Sequence, residues 1–300
     1  MANKIRFTLW ILMVCALYFC SETNHNKSAR KRIYSALTPK HISVLPAEIF
    51  ESSGLLYDEK KLWTINDNGG LACLYQVDTI NGNIKQQVFI DNYPNIDWED
   101  LTADENFIYI GDFGNNYGNR KNLRILKINK KDITSKKEVH LHAEAINFSY
   151  KMQQNYRYDE YTPYDCEAII SLGNYLYIFS MNRGGKKCMV YKIPKTPGTH
   201  ETLPIHRFHA DGKITGAAYD SLQNTVLIIG YSGMRTHPFV WRFKNFDNDN
   251  FLHGNQEYYH IGNEKAWQLE AITFAGKNKA FFSCETSGEK VAGIYELNLD

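Results

Sequence analysis

The chain has 300 residues, 43% of them hydrophobic and 14% aromatic, which suffices for the core of one large all-β domain or two medium domains and excludes wholesale disorder. Formal net charge is +1; removing residues 1–20 takes Lys4 and Arg6 but no acid, leaving 32 basic against 33 acidic residues. So neutral a chain lacks the broad basic face of a nucleic-acid binder, and no nucleic-acid partner is expected.

The N-terminus opens on a basic "MANKIR", followed by the apolar run "FTLWILMVCALYFC" over residues 7–20. That run is short of the about 20 residues that span a bilayer and suits the core of a secretory signal. Two processing routes are legible. Val14-Cys15-Ala16 has small-residue cleavage character, while Cys20, followed by "SETNHNKS", resembles the acylated cysteine of a bacterial lipoprotein, with Phe19 standing where a small residue is usual. The basic "RKR" at residues 30–32, on the far side of the run, argues against an uncleaved anchor. The expectation is a lipoprotein-type signal over 1–20 with lipidation at Cys20, then a polar tether over 21–40. The product is exported as an outer- or cell-surface membrane lipoprotein, or as a periplasmic or secreted protein. It would touch the membrane through the lipid anchor only.

Beyond the tether, "HISVLPAEIF" at residues 41–50 is a strand candidate with no partner nearby in sequence. Five units then share one pattern: a small or acidic residue, an apolar strand, a short polar turn and a second strand. They start at Ser53, Glu99, Glu167, Gly216 and Glu270, and each leads through a Gly/Asn-rich turn to a third alternating strand such as "LRILKIN" or "MVYKIP". Alternation of period two without sustained helical periodicity predicts strands throughout. Four-stranded units repeating at this spacing predict an all-β fold, a β-propeller of five blades. Six blades are the alternative, if "EVHLHAEAINFSYKM" and "YRYDEYTPYD" hide another. The last unit stops one strand short at Asp300, so the N-terminal strand is expected to complete it and close the ring, making residues 41–300 a single domain. Cys73, Cys166, Cys188 and Cys284 match no CxxC metal spacing and are either buried thiols or disulfide partners.

The repeat gives its acidic residues a common address. The start of each first strand lies beside the end of the antiparallel second strand, and the first strand of a propeller blade is innermost. Ser53, Glu99, Glu167 and Glu270 are therefore expected to ring the channel mouth, with Gly216 and its neighbour Thr215 in the fourth blade. Asp100, next to Glu99, is expected on the opposite strand face, and Asp97 in the preceding loop. The same face gathers Asp67, Asn68, Asp112, Asn116, Asn182, Arg183 and Glu285, with Trp98 and Trp267 beside two of the glutamates. Three carboxylates on one axis need compensation. A hard cation with oxygen ligands, Ca²⁺ first, supplies it, with Ser53, Glu99, Glu167 and Glu270 as the metal set. Bonds from each glutamate to a neighbouring backbone or to Arg183 are the alternative. The histidines show no zinc-like clustering.

The strand starts "SSGL", "WEDL", "CEAI" and "LEAI", with "TINDNGG" closing the first strand pair, resemble those of calcium-dependent apyrases. That resemblance implies a five-bladed propeller with calcium in the channel and hydrolysis of nucleoside di- and triphosphates. It touches Ser53, Glu99, Glu167 and Glu270, and the fourth blade departs from it. Arg120, Arg183 and Arg235 are the basic residues available for a polyphosphate. The chain is also similar to bacterial cell-surface propellers and to esterase-like phytase propellers. "DFG" at 112–114 resembles the kinase triplet, but no HRD-type loop or glycine-rich nucleotide loop accompanies it. Two functions follow. The first is a monomeric surface module binding a small molecule, glycan or surface protein through Asp67, Trp98, Asp112, Asn116, Arg183, Trp267 and Glu285. The second is a calcium-dependent hydrolase of phosphoanhydrides or phosphate esters.

Overall fold

The computed structural model describes residues 35–181, 183, 187–233, 237–262, 267–285 and 292–300. The expected signal, Cys20, most of the expected tether, Asn182 and Arg235 lie outside the described residues. Period-two alternation becomes strand almost everywhere else. β1 (Ser35–Leu37) and β2 (Lys40–Val44) come first. Blade one is β3 (Ser52–Asp58), β4 (Lys61–Asn66), β5 (Cys73–Val77) and β6 (Ile84–Ile90). Blade two is β7 (Trp98–Ala103), β8 (Phe107–Asp112) and β9 (Arg124–Asn129), then, after the short β10 (Glu138–Leu141), β11 (Glu144–Tyr150). Blade three is β12 (Cys166–Leu172), β13 (Tyr175–Ser180) and β14 (Lys187–Pro194), then, after β15 (Gly198–Thr202), β16 (Pro204–His209). Blade four is β17 (Lys213–Asp220), β18 (Thr225–Ser232), β19 (His237–Lys244) and β20 (Asn255–Ile261). Blade five is β21 (Leu269–Gly276), β22 (Lys279–Cys284) and β23 (Gly293–Asn298), completed by β2.

The result is a five-bladed β-propeller. Its closure is the expected one: β2 pairs antiparallel with β23, from Lys40 opposite Glu296 to Val44 opposite Gly293. The segment that could have hidden a sixth blade resolves into β10, β11 and a long strand-free connection over 151–165. Each innermost strand packs against its two counterparts, so β3, β7, β12, β17 and β21 line a common channel.

Three connections do a second job. β10, between the third and fourth strands of blade two, pairs in parallel with β6 of blade one. β15 does the same from blade three to β11 of blade two, and β1 joins β20 of blade four just before the chain enters blade five. Each covers an outer edge that would otherwise offer unpaired N–H and C=O groups, and latches one blade to the next. Residues 35–40, expected in the tether, are thereby built into the ring.

The apolar faces of the strands meet between blades. One buried cluster joins blades one and two through Trp63, Val88, Trp98 and Ile110, and four others occupy the remaining interfaces. Cys73, Cys166, Cys188 and Cys284 are buried as thiols within these layers. Among the described residues no helix is long and apolar enough to cross a membrane.

Candidate functional site

The five inner strands share a defect at one position. In β7 the ladder runs Trp98 opposite Asp112 and then Asp100 opposite Gly111, so Glu99 is an extra residue. Glu167 is skipped in the same way in β12, Thr215 in β17 and Glu270 in β21, and blade one slips between Ser52 and Leu55. A β-bulge leaves one residue without a ladder partner and turns its side chain out of the pleat. All five blades thus use a bulge at the channel mouth.

The bulges correct two expectations. The fourth-blade counterpart of Glu99 is Thr215 rather than Gly216; Gly216 matches Asp100 and packs its α-carbon against the backbone of Glu270 and Ala271, where a β-carbon would not fit. Asp100 does not point to the far face of its strand. The bulge keeps it in the channel, fully buried, where it accepts backbone N–H bonds from Leu101 at 2.8 Å, Ile169 at 3.0 Å and Ala217 at 3.3 Å. Asp100 therefore ties the inner strands of blades two, three and four together, and burial raises its carboxyl well above the usual range despite those bonds.

Above this tie lies a pocket of about 180 Å³ into which Asp67, Glu99, Asn116, Glu167, Arg183, Glu270 and Glu285 all converge, with Lys213 and Thr215 on the wall. Other residues expected at the site are elsewhere. Ser53 is buried and donates its hydroxyl to the Trp98 carbonyl at 2.8 Å, so it does not line the pocket. Trp98 and Trp267 are buried in inter-blade cores, Trp267 packed on Phe282 and Tyr295, and neither offers a ligand a surface. Asp112 is also fully buried, hydrogen-bonded by Arg120 at 2.9 Å and ion-paired with Arg124 at 2.7 Å. It acts on the site indirectly, by accepting the Asp97 backbone N–H at 3.2 Å.

Asp97, expected in the loop before the strand and outside the metal set, belongs to the site. Its carboxylate and those of Asp67 and Glu99 bring one oxygen each within 4.8 Å of one another. The turn after β8 fixes this geometry: the Gly114 N–H bonds the Asp97 carbonyl at 3.2 Å, and a β-carbon on Gly114 would collide with the Glu99 and Asp97 carboxylates. Burial, then the charge of Asp67, pushes the Asp97 carboxyl up to about 7; burial raises Asp67 to about 6. Glu99 and Glu167 are held well above the usual range by burial first, then by neighbouring carboxylates. Compensation is partial. Arg183 bonds Asp165 at 2.6 Å and stands 3.9 Å from Glu167, while Arg120 stands 3.9 Å from Asp97.

The sequence did carry a signal for these residues. Asp97-Trp98-Glu99 and Asp165-Cys166-Glu167 repeat an Asp-x-Glu spacing at the bulge, with Gln268-Leu269-Glu270 close to it in blade five. Chemically the pocket is an all-oxygen donor set with excess negative charge, and the buried Asp97 Oδ1 has no hydrogen-bond partner among the described residues. Both features fit a hard divalent cation, which takes carboxylate oxygens at about 2.3–2.6 Å.

No protein-family model and no curated protein matches the chain. Solved structures do. The glutaminyl cyclase of Myxococcus xanthus is similar over 89% of this chain and 100% of its own, at 10% identity and a TM-score of 0.53. The PQQ-bound aldose sugar dehydrogenase of Streptomyces coelicolor covers 89% and 99% at 11% identity and a TM-score of 0.48, and the hydrazine synthase of Kuenenia stuttgartiensis covers 88% and 58% at 11% and 0.39. At such identities the likeness is one of fold: this chain is a five-bladed β-propeller whose distant structural neighbours include enzymes.

Proposed function

We propose that the channel mouth binds a divalent cation, Ca²⁺ by its donor chemistry, and that the cation and pocket wall together hold a small polar ligand. The observation that carries this reading is the convergence of Asp67, Asp97 and Glu99 onto one small volume with a buried Asp97 oxygen unpartnered. These three would be the ligands, replacing the set centred on Ser53. Glu167 and Glu270 would complete the negative lining, with Arg183 orienting Glu167. The bound cation would supply charge compensation and a Lewis-acidic point for a ligand oxygen.

The apolar run before Cys20 supports export, with the propeller held at a membrane surface by lipid on Cys20 and acting there as a monomer. Its partner would be a small molecule, glycan or surface protein. A second reading, hydrolysis of phosphoanhydrides or phosphate esters, is favoured by Arg183 and Lys213, which line the same pocket as the carboxylates and suit an anionic substrate.

Calcium titration followed by thermal melting tests the first reading. Ca²⁺ should raise the melting temperature of the wild type, and the Asp97→Asn/Glu99→Gln variant should melt higher than the wild type without Ca²⁺ and respond weakly to it. An unshifted wild-type melt in saturating Ca²⁺ would sink the cation site. A nucleotide and phosphate-ester screen on the calcium-loaded protein then separates the hydrolase from the binding module.

A further inference from the structure

A second pocket shares no lining residue with the acidic one and is opposite in character. It has a volume of about 260 Å³ and forms where the turn after β8 meets the long connection between β11 and β12. The two loops are welded. Asn115 N–H donates to Asp165 at 2.8 Å, Asp159 N–H to the Tyr117 carbonyl at 3.0 Å, and Gln153 Nε2 to the Gly118 carbonyl at 2.6 Å. Gly118 holds a φ of 64° with its α-carbon against Thr162, so only glycine lets the loops approach this closely. The site is preformed, which lowers the ordering cost of binding.

The lining is amide-rich. Gln153, Gln154 and Asn155 supply donors and acceptors, and Arg157 and Asp159 add one charge of each sign. Gln153 is 8% exposed, and its Oε1 is buried without a hydrogen-bond partner among the described residues. A buried acceptor in that state calls for a donor, which a ligand hydroxyl can supply.

Beside these residues stands an exposed aromatic group. Tyr117 and Tyr158, chain neighbours of the lining residues Gly118, Arg157 and Asp159, stack at 4.5 Å between ring centroids while remaining 46% and 61% exposed. Tyr161 is 70% exposed. Solvent-exposed tyrosines in a rigid loop present flat, amphipathic faces at little entropic cost.

From this juxtaposition we infer that the cleft between the 113–123 turn and the 151–165 loop is a binding site for a neutral oligosaccharide. Ring faces pack against the C–H face of a pyranose, amides satisfy its hydroxyls, and the balanced charge of the lining selects against an ion. A peptide would need an open strand edge or an apolar anchor pocket. The outer edges of blades one and two are covered by β10 and β15, and this lining is polar.

The test is isothermal calorimetry and saturation-transfer NMR on the full chain, using neutral hexasaccharides of glucose, xylose, mannose, galactose and N-acetylglucosamine. At least one should bind, with Tyr158→Ala and Tyr117→Ala each weakening it about tenfold or more, equivalent to about 1.4 kcal/mol. Gln153→Ala should weaken it too; if that variant fails to fold, the two exposed tyrosines decide alone. Binding should survive EDTA and the Asp97→Asn/Glu99→Gln substitutions, so loss of the cation site and loss of this site are told apart. No binding by any of the five sugars, binding indifferent to both tyrosines, sugar binding abolished by EDTA, or selection of peptides from a library with the sugars inert would each overturn the inference.

Discussion

Asp97 and Asp67 are carboxyls whose folded environment favours the proton, because burial penalises the charge first, and then Asp97 sits in the field of Asp67 and Asp67 in that of Glu285. Their values rise from an ordinary 3.8 to about 7 and about 6. Between those limits the folded protein binds more protons than the unfolded chain, so the stability these groups contribute is full below about pH 4 and is lost as pH rises towards 7. Cation-free protein should therefore melt higher at about pH 5 than at about pH 8, and saturating Ca²⁺ should narrow the gap by favouring the ionised forms. Asp97→Asn should flatten the metal-free profile. A melting temperature that climbs across this window without metal would contradict the arrangement of the carboxylates.

At the scale of elements, the turn leaving β8 sets the site. Gly114→Ala forces a β-carbon into the Glu99 and Asp97 carboxylates and should cost about 1–3 kcal/mol by urea unfolding. It should also blunt the thermal response to Ca²⁺, because the same displacement separates the ligand oxygens. Strands and blades were legible in the sequence because period-two alternation survives wherever one face is buried. The defects in that alternation were not. A bulge at Thr215 looks like ordinary strand sequence, so strict alternation puts Gly216 one residue out of register and Asp100 on the wrong face. Indole burial was equally hidden: Trp98 sits between two acidic residues in "DWEDL", yet it fills the core between blades one and two. β1 and β15 leave no such trace because three to five residues are too few to show a period, and the segment holding β10 reads instead as a possible sixth blade.

Over the whole molecule, stability rests on five inter-blade cores and one closing pair, so the ring is only as sound as its weakest joint. Deleting residues 1–44 removes β2, leaves the β23 edge open and takes β1 from blade four. That truncated chain should lose the single cooperative melt and associate through the exposed edge, which circular dichroism and size-exclusion chromatography would report. A monomer with an unchanged melt would show that closure is dispensable.

The closing pair also imposes an order in time. Lys40 finds its partner in Glu296 and Val44 in Gly293, so β2 waits for β23, the far end of the propeller repeat, before it can pair. Loop-closure entropy makes such distant pairing slow. The nascent chain can stack blades one to four as they emerge, but blade five stays open until β23 is made, and its edges need shielding until then. Folding of this propeller is finished only when its two most distant strands have met.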